Sequence, residues 1–245
     1  MVADIDRRSD WTRARGIYAE LWAYLRRPYW MESRRPWDGM VLRQLFWLFL
    51  LDVALMVVSV LVVSGYTLVL TRLNLPLPGF SDDGMGDPRL LLISAVIIAP
   101  LAEEFLFRSW LKGTPRYLLV LAGLFLASFL SRIGEGPRAE MIQQWLLILA
   151  GIVAVLILWR GGRQPVPFFQ RHFVWFFWLS SASFALVHWS NYDEGTSATV
   201  IPMLLPQFVA GVNWAFARMR FGLRASILLH AVANGILVVP MVLIA

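Results

Sequence analysis

Three short stretches of this 245-residue chain carry residue types that do chemistry inside otherwise apolar surroundings. The first, ISAVIIAPLAEEFLFRSWL, holds Glu103, Glu104 and Arg108; the second, WLSSASFALVHWSN, holds Phe184 and His188; the third, RASILLHAVANG, holds His230 and Asn234. Each charge at a bilayer centre costs about 2.5–3.5 kcal/mol on insertion scales, so such groups must be paired, hydrated or close to an interface. On a helix Glu104 and Arg108, four apart, share a face, whereas Glu103 points about 140° away from Arg108. A Glu104–Arg108 pair therefore leaves Glu103 free. An ion-pair knot between helices accounts for one Glu and the Arg and leaves the second Glu unexplained.

The chain has three His, and two of them lie in apolar stretches beside this paired-Glu helix. Alone, a membrane His most often makes an interhelical hydrogen bond. Two imidazoles with a carboxylate are also what water activation needs: a Glu or His takes the proton, a His or a metal polarises the carbonyl, and an Asn stabilises the oxyanion. The same set can hold a zinc ion through His188, His230 and Glu103 with a fourth position open. Serine chemistry through Ser180, Ser181 or Ser183 near His188 is weaker, since small hydroxyls in membrane helices mostly serve packing. His172 lies at the edge of an apolar segment, where solvation suffices.

The elements that must position these groups follow from composition. The chain is 58% hydrophobic, 14% aromatic and 16% charged, against about 25% charged in soluble domains. Disorder and a soluble globule are excluded. Zero cysteines exclude disulfides, thiolate metal sites and a cysteine nucleophile. Seven apolar segments, at 45–71, 89–111, 116–132, 141–160, 173–191, 198–217 and 225–244, predict an all-α polytopic transmembrane bundle of about seven spans around a polar intramembrane cavity, the third segment being short for a span. Residues 1–43 are Arg-rich, interleaved with Trp and Tyr, and read equally as an amphipathic helix at 12–27 on the membrane surface, an eighth helix beside the spans, or as a solvated basic tail that fixes orientation. The transmembrane domain then covers 44–245.

The net charge of +6 comes from basic residues between spans, so it signals topology and calls for no nucleic-acid partner. Nearly all Lys and Arg fall on the side of the N-terminus, which predicts a cytoplasmic N-terminus and membrane lipids as the surrounding partner. Several Trp, Trp47, Trp110, Trp159, Trp175 and Trp189 among them, sit near span ends as interfacial aromatics do. Loop 74–88 (NLPLPGFSDDGMGDP) reads as irregular, with Asp82, Asp83 and Asp87 as solvated carboxylates lacking the rest of a calcium loop. Asp52 in the first span is a further buried charge expected to pair with a polar neighbour.

Taken together, the three motifs resemble the CPBP family of intramembrane proteases, also called the CAAX-protease or Abi family, from Pro100 to about Asn234. The family's Glu-Glu-x-x-x-Arg is matched by Glu103, Glu104 and Arg108, its Phe-x-x-x-His by Phe184 and His188, and its His-x-x-x-Asn/Asp by His230 and Asn234. The resemblance implies a bundle of eight or fewer helices and hydrolysis of a peptide bond in a membrane-associated or lipidated protein. It also implies roles: Glu103 as the base that activates water, Glu104 and Arg108 orienting it, His188 assisting, and His230 with Asn234 stabilising the oxyanion. Zinc-dependent and metal-free glutamate mechanisms are both proposed for the family, so a zinc cofactor stays open.

Glu103 and His188 lie 85 residues apart, wider than the family spacing. The excess corresponds to an inserted hairpin over 116–160, which preserves the orientation of everything after it. Depth raises a conflict, since Glu103 is about 20 Å from the start of its span at 1.5 Å per residue, while His188 is near the end of its own. Either the boundaries shift or the chain after Asn191 dips into the membrane, with local unwinding at Pro202 and Pro206. Two other classes fit the polar set: a catalytically silent scaffold or immunity-type membrane protein, and a small-solute or proton transporter. The intact motif set favours the enzyme over the first, and the lack of an internal repeat weighs against the second.

Overall fold

A computed structural model describes residues 10–32, 37–79, 87–130, 137–193 and 195–244. Among them every regular element is helical. Six helical stretches are long and apolar enough to cross a membrane: Gly39–Arg72, Pro88–Lys112, Gln143–Arg160, Phe173–Asn191, Ser197–Phe221 and Leu223–Leu243. This is a multi-pass membrane protein. The third apolar segment is a shorter helix, α5 (Pro115–Leu130), and Asp82 and Asp83 lie outside the described residues.

α1 (Asp10–Arg26) buries Ala14, Ile17, Leu21 and Tyr24 on one stripe, the three-and-four spacing of a single helical face. That stripe is turned into the protein: Tyr24 packs against the rings of Phe177 and Phe216, and its burial holds the phenol pKa above the ordinary value. Glu20 of α1 is bonded to Arg220, which ties the helix to the far end of the chain. α2 (Gly39–Arg72) starts where the Asp38 carboxylate accepts from the Val41 N–H at 2.8 Å, an N-cap that satisfies an orphan donor. Its 34 residues span about 51 Å at 1.5 Å per residue, well beyond a 30 Å hydrocarbon core, so α2 must tilt or protrude.

The helix that carries the Glu pair has three parts. α3 (Pro88–Ile93) is capped by Asp87, which accepts from Arg89 N–H at 2.8 Å; a π-helical turn comes next at Ser94–Ile98; α4 runs Ala99–Arg108. A 3₁₀ turn then ends at Gly113, whose φ of 70° suits glycine and whose absent Cβ would stand 2.4 Å from the Phe169 ring. α5 and α6 (Pro137–Arg160) pack on each other as a hairpin, and Val166 N–H closes its base on the Gly113 carbonyl at 2.8 Å. α7 (Pro167–Arg171) leads into α8 (Phe173–Val187). α9 (Ser197–Val200) and a 3₁₀ turn at Ile201–Leu204 precede α10 (Leu205–Phe221), and α11 (Leu223–Ile244) ends the chain.

α10 is the centre of the bundle. It lies against α2, α8 and α11, and every residue from Ala210 to Met219 is buried. With no water to expel between helices in lipid, close approach of small residues and directed polar contacts hold such a centre together. Gly211 permits that approach, since a Cβ there would meet Phe184 at 2.9 Å and Arg108 at 3.2 Å.

Candidate active site

Pro100 sets the local backbone. The π turn pairs Ala99 N–H with the Ser94 carbonyl, five residues back. The next donor in that register would be residue 100 bonding Ala95, and proline has none. The Ala95 carbonyl is instead met by the side chain of Asn234, whose Nδ2 donates at 2.8 Å. Asn234 on α11 therefore latches the π turn that leads into the Glu pair. Single π turns of this kind recur at functional sites, where the extra residue re-aims the side chains beyond it.

Glu104 and Arg108 share a face, as their spacing predicts, and both are fully buried. Arg108 Nη1 lies 3.2 Å from Glu104 Oε1, its Nη2 donates to the Gly211 carbonyl at 3.4 Å, and the guanidinium sits 3.8 Å over the Phe184 ring. The same Glu104 oxygen meets Nδ1 of His230 at 3.0 Å. With a carboxylate at that distance, Nδ1 carries the proton, which leaves Nε2 to face the other way. What it faces is Glu103: Nε2 lies 3.8 Å from Glu103 Oε2. That Glu103 oxygen has no hydrogen-bond partner among the described residues, and the residue is only half-buried.

His188 stands across the Phe184 ring from this group. Its Nδ1 donates to the Phe184 carbonyl at 2.8 Å, and its ring meets Phe184 at 4.9 Å between centroids, while His230 meets another part of the same ring at 5.7 Å. The depth conflict is resolved by unequal helix lengths. Ser180 Oγ donates to the Phe107 carbonyl at 2.6 Å, so the start of the 3₁₀ turn at His188, eight residues on, lies about 12 Å further along, beside the Ala99–Pro100 turn rather than at the far end of the Glu helix. α8 stops there at Val187, whereas the Glu helix continues to Pro88. Past His188 the backbone turns through 3₁₀ segments, including one at Pro202, a position where the sequence predicts unwinding.

The structure thus gathers Glu103, Glu104, Arg108 and His230 into one contact group, sets His188 against the Phe184 ring that His230 and Arg108 also touch, and engages Asn234 with the backbone. The serines are occupied structurally: Ser181 and Ser183 donate to the Phe177 and Leu179 carbonyls four residues back, and Ser180 to Phe107. Among the described residues no three His, Asp or Glu side chains converge as metal ligands. Of the expected zinc donors, His230 Nε2 and Glu103 Oε2 lie 3.8 Å apart, while His188 and His230 each contact the Phe184 ring.

Sequence reasoning missed three participants. Trp214 stacks flat on His230, 4.0 Å between centroids and 20° between planes. Gly211 supplies the carbonyl for Arg108. Arg218, buried without a carboxylate partner among the described residues, donates Nε to the Arg108 carbonyl at 3.0 Å and Nη2 to the Ser109 carbonyl at 3.5 Å, a cation on the C-terminal carbonyls of α4. Of these, only Arg218, a charge near the end of an apolar segment, left any signal in the sequence.

Buried acid and imidazole on facing helices of a multi-pass bundle form a candidate membrane-embedded site. Residues 86–236 match the family model of the type II CAAX prenyl endopeptidase Rce1-like proteins, and the chain belongs to that family. No curated protein and no solved structure gives a significant match. Membership implies an intramembrane protease acting on protein substrates, and the matched span contains every motif residue from Glu103 to Asn234.

Proposed function

We propose that this protein hydrolyses a peptide bond of a membrane-associated or lipidated protein with water activated by Glu103. The observation that carries this reading is the division of labour between the two carboxylates. Glu104 is sealed in the interior and engaged by Arg108 and His230, whereas the half-buried Glu103 keeps an unpartnered oxygen 3.8 Å from the His230 Nε2. That gap is too long for a direct hydrogen bond, and between these two buried atoms is where this reading places the attacking water.

In this scheme Glu103 removes a proton from the water as its oxygen attacks the scissile carbonyl carbon. The C–N bond then breaks and Glu103 returns the proton to the leaving amine. His230, oriented by the Glu104 carboxylate on Nδ1, stabilises the oxyanion through Nε2 when protonated. His188, whose Nδ1–H is bound to the Phe184 carbonyl, offers Nε2 as an acceptor for a water proton. Asn234 contributes by fixing the π turn ahead of Glu103, and its second N–H remains for the oxyanion. No step passes through a metal ion. The same proposal puts the N-terminus on the cytoplasmic side, supported by the Arg-rich segments that flank the spans on its side.

Glu103→Gln keeps shape and removes the base. Its kcat on a prenylated CAAX reporter peptide in lipid vesicles should fall by about 10²–10⁴-fold, with the protein still folded and membrane-inserted. Cleavage at the wild-type rate would overturn the assignment.

A further inference from the structure

Asp52 is the one carboxylate of α2 within its apolar run, and it is 1% exposed. It has no Lys or Arg partner among the described residues. One oxygen, Oδ2, accepts from the indole Nε1–H of Trp214 at 2.8 Å; the other, Oδ1, is buried without a hydrogen bond of normal geometry, with the Asn213 amide, which donates to the Leu48 carbonyl, beside the carboxylate. A carboxylate kept in such a place is expensive and, for packing alone, unnecessary, because a hydroxyl or amide would satisfy an indole N–H equally well. What distinguishes this indole is its other face, which lies flat on the imidazole of His230.

The geometry points to Asp52 as a positioning residue for His230, acting through Trp214. The Asp52 bond prevents the indole from rotating about its side-chain torsions. The fixed indole then holds the imidazole plane from one side while Phe184 touches it edge-on from another and Glu104 grips Nδ1. Together these leave Nε2 one direction, toward Glu103. Accepting the N–H also draws electron density into the indole, and an electron-rich face favours the imidazolium that His230 forms when it meets an oxyanion. The inference deepens the proposed function, since His230 matters here as part of that site.

The test combines substitutions with a readout on His230 itself. In Asp52→Leu, kcat on the reporter peptide should fall about tenfold with KM little changed. Asp52→Asn, which still accepts from the indole, should restore most of it. Trp214→Phe should match Asp52→Leu, and the double variant should be no slower than either, the coupling expected of one pathway. The double variant also removes the unpaired partner, so its folding stability should recover while kcat does not, which a purely structural role would not produce. Independently of proteolysis, the His230 ring signals in NMR of isotope-labelled protein, displaced by the stacked indole, should move toward free-imidazole positions in Asp52→Leu. Unmoved signals would overturn the inference even if Glu103→Gln abolishes cleavage. So would kcat recovering together with stability in the double variant.

Discussion

The neighbourhood of α10 and the α5–α6 hairpin are built from similarly apolar sequence and end in opposite situations. In the span that contains α10, 61% of the residues are buried by protein, whereas in the span of α6 the figure is 0%. The α6 span is nonetheless the more apolar of the two. In water the most hydrophobic helix would be the innermost. In lipid the order reverses, because tails solvate Leu and Ile as well as a protein interior does, and the helix that needs protein around it is the one with Asn213, Trp214 and Arg218. The hairpin exposes Trp145, Leu149, Val155 and Trp159 at no cost. Its independence is visible at its base, where Gly113 and Val166 are joined by a backbone hydrogen bond.

That contrast can be broken most sharply at Arg108. Replacing it with Leu leaves Glu104 buried with His230 and Ser226 as its neutral partners and no cation on the carboxylate, and should cost about 3–5 kcal/mol in reversible unfolding in mixed micelles. A loss below about 1 kcal/mol would mean that water reaches the pair. Excising residues 116–163 and joining the ends with a short Gly-Ser linker should cost less than that single substitution, since among the described residues what the core cluster forfeits is chiefly the packing of Tyr117, Leu118 and Leu121. The shortened protein should insert, unfold cooperatively and retain Glu103-dependent cleavage of the reporter peptide. Failure to insert would show the hairpin to be integral. Leu149→Ala on the exposed surface of α6 should be nearly silent, within about 0.5 kcal/mol by the same unfolding measurement.

Much of this was legible in the residues. The apolar runs implied the helical class, and six of the seven segments are helices of spanning length, the exception being the short third. The i,i+4 spacing of Glu104 and Arg108 forecast their ion pair, and the 140° offset forecast a second Glu with a different environment. Pro202 marked irregular backbone, a 3₁₀ turn, whereas Pro206, also expected to unwind the chain, lies in the first turn of α10, where the missing N–H costs nothing. Two expectations gained a different content from packing. The amphipathic N-terminal stripe, expected on the membrane surface, is turned onto the bundle through Tyr24. Asn234, assigned by resemblance to the oxyanion, is engaged with Ala95, because the missing N–H of Pro100 orphans the carbonyl of residue 95, rather than that of residue 96, only if the preceding turn is π-helical. The Trp214 stack on His230 left no trace, since neither spacing nor residue type couples an indole on one span to an imidazole on the next.

The sequence by itself determined which segments enter the membrane and which few polar residues accompany them. Both are consequences of transfer free energies and helical periodicity, which act locally and residue by residue. Only the tertiary structure decided which carboxylate is spent on the ion pair and His230 and which is left open, that His188 stands behind Phe184, and that Asp52 reaches the site through Trp214. Those are contacts between helices far apart in the chain. In a lipid solvent they rest on close packing and directed hydrogen bonds, whose partners no local pattern encodes.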